Sequence, residues 1–279
     1  MKDMIRIGTW NTEWAEPGAK IPRDKIISDK LAATKCDILC VTEGFAGILP
    51  NGGHVIDAGE DWGCPIKEGR RKVLLWSKQP WTPHTHALGS EEFHKGRFVA
   101  GTTETASRAR LTVIGVCIPW SGSHVNICQK NLLPWEDHKR WIAGFRKLRC
   151  RFPESRTVVL GDFNQRIPKI KKLVPPIVHD ALLRSFEDFR FATKGELPGD
   201  LSVIDHIAHT PDLALAGDSI KIWPKCVKND DALRKKYELE KLEPAIMKKW
   251  EKGWKKTCPG PTKLYLSDHF GVRGDFEFP

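Results

Sequence analysis

"TVVLGDFNQR" occupies residues 157–166. A run of β-branched and aliphatic side chains ends at Gly161, and the chain then presents Asp162 and Asn164 with Phe163 between them. Val158, Val159 and Leu160 read as a buried strand. A carboxylate and a carboxamide two positions apart fall on one side of an extended chain. Gly, Asp and Asn are also the common turn residues, so the stretch taken alone has a turn as its other reading. The rest of the chain decides.

Outward from this strand, short β-like runs alternate with helix-like runs, without internal repeats or low-complexity segments. "MIRIGTWN" (4–11), "CDILCVTE" (36–43), "KVLLWS" (72–77), "RFVAGTTE" (97–104), "RLTVIGVCIPW" (110–120), "LSVIDHIAHT" (201–210) and "HFGVRGDFEF" (269–278) read as strands. Residues 22–34 place Ile26, Ile27, Leu31 and Ala32 on one helical face. Residues 134–152 open on Pro134 and place Trp141, Ile142, Phe145 and Leu148 on another. A third helix is expected around 180–190. No Gly/Ser linker divides the chain, so residues 1–279 read as one mixed α/β domain.

The formal charge is +10, which favours a polyanionic partner such as nucleic acid. Between Pro224 and Lys263 there are 12 Lys/Arg against 6 Asp/Glu, so +6 of that charge lies in one segment. Pro244 splits it into two expected helices, and Trp250 and Trp254 share a face of the second. The segment, about 225–260, reads as a solvated helical insertion whose tryptophans dock on the domain. Its functional reading is a basic substrate-binding arm using Lys248, Lys249, Trp250 and Trp254.

No apolar run approaches the ~18 residues of a membrane span. The start lacks the apolar stretch of a signal peptide. A cytoplasmic protein without stable membrane insertion is the expectation. The eight cysteines are scattered without metal-type pairing, so most are expected as free buried thiols and no structural zinc site is expected. "PHTH" (83–86) puts His84 and His86 on one strand face; with no third ligand at recognisable spacing they read as surface.

Several strand-like runs end alike: Asn11 after "IGTW", Glu43 after "DILCVT", Asp162 and Asn164, Asp205 in "SVIDH", and Asp268 with His269 in "LYLSDHF". Strand ends of a layered α/β domain converge on one edge, where sites are built. Four carboxylates gathered there without a cation would raise one another's pKa values. A hard divalent ion relieves this, and Mg²⁺ prefers a few carboxylate and amide oxygens plus water. Such a cluster suits phosphate ester hydrolysis.

The order "TWN", "DILCVTE", "GDFN", "VIDHI", "LSDHFGV" resembles the endonuclease/exonuclease/phosphatase superfamily, the deoxyribonuclease-I-like fold, over nearly the whole chain. The resemblance implies a four-layer α/β/β/α sandwich of two packed mixed sheets, with the basic insertion before the last strand. Carried over position by position, Asn11 and Glu43 would hold Mg²⁺ (Mn²⁺ as a substitute) with Asp268 beside them. Asp162 would activate or orient the attacking water, Asn164 would position it and a phosphate oxygen, and Gly161 would let the chain turn where both are displayed. His269 would contact the scissile phosphate, its ring oriented by Asp205.

One place departs from the pattern. Where family members commonly carry a His or Tyr at the end of the strand "TVIGVCIPW", this chain has Cys117, with Trp120 just after; these two stand at the expected substrate contact. His124 and His138 are the nearby alternatives and read as surface residues. The implied activity is a metal-dependent nuclease, endo- or exonucleolytic. The alternatives are a phosphatase or phosphodiesterase for an inositol phosphate, phospholipid or nucleotide, and a catalytically silent member that binds nucleic acid.

Overall fold

A computed structural model describes residues 4–84, 95–128, 131–168, 174–195, 197, 201–252 and 263–278. Its strands are β1 (Met4–Asn11), β2 (Ile38–Phe45), β3 (His54–Asp57), β4 (Arg70–Ser77), β5 (Thr82–Pro83), β6 (Phe98–Glu104), β7 (Arg110–Cys117) and β8 (Thr157–Asp162). They continue as β9 (Arg190–Phe191), β10 (Asp205–His209), β11 (Ala214–Leu215), β12 (Lys221–Trp223), β13 (Cys226–Lys228), β14 (Lys263–Tyr265) and β15 (Gly271–Glu277). One sheet runs β11-β15-β1-β2-β4-β3, with β12 also on β15; the other runs β5-β6-β7-β8-β10-β9, and β13 and β14 form a separate ribbon.

Each large sheet is built around one parallel pair, β1 with β2 and β7 with β8, among antiparallel neighbours. A parallel pair needs a crossover. Helix α1 (Arg23–Ala33) supplies it for the first and α2 (Glu136–Arg149) for the second. The remaining helices are α3 (Pro176–Ser185), α4 (Asp231–Lys236) and α5 (Pro244–Lys252).

Three apolar cores separate the four layers. Ile7, Ile38, Cys40, Val73 and Leu75 of the first sheet meet Val113, Val158, Leu160 and Ile207 of the second. Ile26, Ile27 and Leu31 of α1 cover Leu39 and Val41 on the outer face of the first sheet, where Met247 and Trp250 of α5 join them. Trp141 and Phe145 of α2 and Leu182 of α3 cover Ile114, Val116 and Val159 on the other side. Strand period assigns the faces. In β8, Val158 and Leu160 point between the sheets and Val159 points to the helices, so Asp162 continues the inter-sheet row. In β1, Ile5 and Ile7 share that side, and Asn11 continues it.

The expected strands and helices appear with shifted ends. The strand expected from 201 begins at Asp205, and the helix expected around 180–190 is Pro176–Ser185. Gly161 does not turn the chain: β8 extends through Asp162, with Gly161 opposite both Val116 and His206. Its φ is +139°, and a Cβ there would sit 1.9 Å from the Val116 carbonyl oxygen. Close approach of β7 and β8, rather than a turn, demands the glycine. Gly161→Ala should therefore cost about 3 kcal/mol or more in urea denaturation, since a rigid backbone atom must move; a loss below about 1 kcal/mol would refute this packing.

Candidate active site

The C-terminal ends of both parallel pairs open on the same edge. Asn11 ends β1, Glu43 lies near the end of β2, and Asp162 ends β8 with Asn164 just beyond. Antiparallel β10 starts there, with Asp205 opposite Asp162 in register. Asp268 and His269 lie in the segment leading into β15.

These side chains interlock. Asn11 bridges the sheets: its backbone N–H donates to Asp205 Oδ1 at 3.0 Å, and its Nδ2 donates to Asp162 Oδ2 at 3.0 Å. Asn164 clamps Asp162 from the other side, its N–H 2.8 Å from Oδ1 and its Nδ2 2.9 Å from Oδ2. The second Nδ2 hydrogen of Asn164 goes to the Ile118 carbonyl at 2.8 Å. His269 donates from Nδ1 to Asp205 Oδ2 at 2.6 Å, and its Nε2 lies 3.5 Å from Asp268 Oδ1. Ser267 ties this segment to β1 through the Asn11 carbonyl at 2.7 Å, and accepts the His269 N–H at 3.1 Å.

Backbone strain gathers at the same edge. Glu13, Trp14, Glu43 and Asn164 all have φ between 47° and 56°. Asn tolerates this conformation; for the others it is an unusual state held by the surroundings.

Burial pushes the Asp162 carboxyl up to about 7, with Asp205 and Glu43 adding to the rise and His269 opposing it. For His269, burial opposes the imidazolium, but Asp205 and Asp162 overcome that and push it up to about 10. Burial also opposes ionisation of Glu43, and the Lys72 ammonium on its carboxylate outweighs this and holds it below its ordinary value.

Two cations had no signal in the sequence reading. Lys72 of β4 pairs with Glu43. Arg97, just before β6, is buried; it donates to the Cys117 carbonyl at 3.3 Å and to Ser123 Oγ at 3.3 Å, and its Nε has no hydrogen-bond partner among the described residues. An alternating strand pattern does not reveal a charge that becomes buried only when two loops close over it.

The remaining expected positions fall in different places. Cys117 is buried, and desolvation pushes its thiol up to about 12, so it stays a neutral, weak donor shielded from solvent; Arg97 stands beside it. Trp120 is 47 % exposed at the rim. His124 and His138 are buried, not on the surface. His138, held neutral by burial with its pKa down to about 4, bonds the Pro119 carbonyl at 2.6 Å and Gln165 at 2.7 Å. Trp250 is buried and donates to the Tyr265 carbonyl at 3.1 Å, so it docks α5 on the core and is not displayed for substrate. Lys248 is exposed on α5, Lys249 lies within that helix, and Trp254 and His86 lie outside the described residues. His84 bonds Thr102 Oγ1 at 2.8 Å.

The thiol expectation needs correction. Cys64 and Cys128 form a disulfide with Cα atoms 4.9 Å apart, and Cys226 is disulfide-bonded too, while Cys36, Cys40 and Cys117 are free and buried and Cys150 is free and exposed. The 64-residue separation of the first pair conceals it from spacing arguments.

Asp162, Asp205 and His269 offer ligand atoms within 4.8 Å of one another, a possible acidic/His metal site. Residues 8–269 match the Endonuclease/Exonuclease/phosphatase family. The chain belongs to that family. Its members include nucleases and phosphatases, hydrolases of phosphate esters. No curated protein matches the chain. Among solved structures it is similar to the endonuclease domain of TRAS1, a telomere-specific non-LTR retrotransposon (12 % identity, 99 % of each chain, TM-score 0.56). It is also similar to a mannosyl-6-phosphatase from Bacteroides thetaiotaomicron (13 % identity, 98 % of this chain and 100 % of that one, TM-score 0.57). An AP endonuclease from Archaeoglobus fulgidus is a third (17 % identity, 97 % and 98 %, TM-score 0.54). At these identities the likeness is one of fold, and it spans family members with different substrates.

The titration of Asp162 has a measurable sign. Its folded pKa of about 7 lies above its ordinary 3.8, so its contribution to stability is complete below 3.8 and is lost as pH rises through 7. Asn at this position cannot ionise. In metal-free buffer the stability of Asp162→Asn relative to wild type should improve by about 2 kcal/mol between about pH 5 and about pH 6.5, a window chosen below the range in which His269 loses its proton. Parallel denaturation curves at both pH values measure this, and a pH-independent difference would mean Asp162 ionises normally.

Proposed function

We propose that this chain is a Mg²⁺-dependent phosphodiesterase that hydrolyses nucleic acid, as an endo- or exonuclease, by in-line attack of water on a phosphodiester. The observation that carries the reading is the buried constellation at the strand ends, in which Asp205 grips the His269 ring at 2.6 Å while Asn11 and Asn164 clamp Asp162. A general base works best with a pKa near the operating pH, and burial brings Asp162 to about 7. Asp162 takes the proton of the attacking water. Asn164, with both amide hydrogens committed, positions Asp162 rather than a phosphate oxygen.

His269 carries its proton at neutral pH and places a positive charge where the phosphate oxygens gather charge in the transition state. Arg97 has an unsatisfied buried Nε, a group whose desolvation cost an anionic oxygen would offset. It takes the part of the missing donor at Cys117.

The donors Asn11 Oδ1, Glu43 and Asp268 are hard oxygens of the kind Mg²⁺ or Mn²⁺ takes, and Asp162, raised to about 7 by burial in the metal-free chain, is a carboxyl whose ionised form a nearby cation would stabilise. These three residues would hold the ion, which when bound polarises a phosphoryl oxygen. Fixed charges and positioning carry the rest of the rate.

The net charge of +10, the surplus of cations in residues 224–263 and the half-exposed Trp120, a stacking platform at the rim, favour nucleic acid over a small ester. Among the described residues no helix is long and apolar enough to cross a membrane.

With supercoiled DNA, single strands, abasic duplex, RNA, inositol phosphates and sphingomyelin as substrates, we expect cleavage of nucleic acid that needs Mg²⁺ and stops with EDTA. Asp162→Asn and His269→Ala should each lower it by ~10²-fold or more with the fold intact. Hydrolysis confined to the inositol phosphates or the lipid would end the nuclease reading. Separately, reversing the exposed Lys235 and Lys248 to Glu should weaken nucleic-acid binding and flatten its salt dependence. Unchanged binding would leave the insertion as a solvated face.

A further inference from the structure

A second cluster of metal-ligating side chains lies away from the strand-end carboxylates: Cys64, His124 and Cys128, whose two sulfurs and one ring nitrogen lie within 4.8 Å of one another. Cys64 belongs to the loop before β4, and His124 and Cys128 to the loop after β7. His124 is buried, while both cysteines are partly exposed. Its Nδ1 faces Asp137 Oδ2 at 3.0 Å, and its Nε2 faces Cys64 Sγ at 4.0 Å and the Gly63 carbonyl at 3.1 Å.

We propose that, once a dithiol opens the Cys64–Cys128 disulfide, this cluster binds one Zn²⁺ through two thiolates and His124 Nε2. The dithiol supplies two electrons and two protons, becoming a disulfide itself. The S–S bond breaks to two thiols, these release their protons to solvent as two Zn–S bonds form, and His124 Nε2 gives up to solvent the hydrogen that faces the Gly63 carbonyl as the Zn–N bond forms.

Three observations carry the site. The first is size. Tetrahedral zinc, with Zn–S near 2.3 Å and Zn–N near 2.0 Å, sets its ligand atoms roughly 3.5–3.8 Å apart. Cys64 Sγ and His124 Nε2, 4.0 Å apart, are close to that dimension; the two sulfurs are bonded to each other, and opening the disulfide leaves each free to rotate about χ1 and move apart to it. The second is the tautomer. A metal-bound histidine characteristically gives its other N–H to a carboxylate, which fixes the ring and strengthens the ligand. Asp137 stands at that nitrogen and is itself held by Ser123 Oγ at 2.5 Å. Binding zinc exchanges only the Nε2 contact to Gly63. The third is placement: Cys64 and Cys128 tie the loop before β4 to the loop after β7 with Cα atoms 4.9 Å apart, so the folded loops keep both sulfurs near His124 when the bond opens. Zinc would then replace the covalent staple between the two loops. Ser123, which also accepts from Arg97, links the site to the phosphate-facing guanidinium.

The test uses the full chain, reduced with dithiothreitol and desalted under anaerobic conditions. Titrated with Co²⁺ as a spectroscopic stand-in, it should take up one equivalent with a thiolate-to-cobalt charge-transfer band, lost on adding Zn²⁺. The band should persist in Asp162→Asn and vanish in Cys64→Ser. Because Cys64→Ser removes the staple and can fail to fold, the wild-type chain carries an independent readout: Zn²⁺ should abolish iodoacetamide labelling of Cys64 and Cys128 while Cys150 stays labelled. Cobalt bound without the charge-transfer band, or unchanged labelling of Cys64 and Cys128 with zinc present, would overturn the proposal. So would a band that survives in a folded Cys64→Ser chain.

Discussion

Asp162 and Asp205 face each other across β8 and β10 in direct register, both buried. Taking one ionised carboxylate out of water costs several kcal/mol unless it is paired or hydrogen-bonded. Two in register would be intolerable if they shared one environment, and they do not. Asp205 is given a cation, the His269 imidazolium, and a backbone N–H from β1. Asp162 receives three neutral donors and no cation of its own, so its ionisation stays expensive. One pair of strands thus produces two carboxyl groups that burial raises alike but that differ in their partners, one ion-paired and one held by neutral donors.

The sandwich exists to make that asymmetry possible. Donors on Asp162 and Asp205 come from β1 in the facing sheet, so the site forms only where the sheets are packed face to face and the ends of their parallel pairs coincide. Behind it, Gln165 bonds His138 and His179 through its side chain and His206 through its carbonyl. Burial keeps His138 and His206 neutral, both with pKa values near 4. This hydrogen-bonded layer, in which His138 and His206 are neutral, holds the loop after β8 in place.

Much of this was legible because it is local. An apolar run that reaches a polar residue near its end names both the strand and the candidate, and that holds for Asn11, Glu43 and Asp162, whereas Asp205 opens its strand. Strands of two to four residues such as β5, β9 and β11 carry too little period to read. Trp250 docks on the core, as the solvated-insertion reading expects, but its partner, the Tyr265 carbonyl, lies on a different element that helical spacing does not reveal. His124 and His138 sit in polar stretches that suggest surface, and become buried because Asp137, Pro119 and Gln165 receive them. Arg97, Lys72 and the Cys64–Cys128 bridge are matters of distance in space, invisible in residue spacing.

Lys72 changes how the acidic edge balances. Four carboxylates, Glu43, Asp162, Asp205 and Asp268, had seemed to require an external cation. The chain instead brings Lys72 to Glu43, His269 to Asp205 and Arg97 beside Cys117, so much of the charge is already compensated. Burial still outweighs these partners at both buried aspartates: it raises Asp205 despite His269, and it raises Asp162, which has no cation of its own, to about 7. On the proposed function, a divalent ion held by Asn11 and Glu43 would compete with the Lys72 ammonium for the Glu43 oxygens. A released Lys72, whose Nζ lies 5.1 Å from the Trp14 ring centroid, would be free to pair with an anionic phosphate, so that metal and substrate would each favour the other's binding.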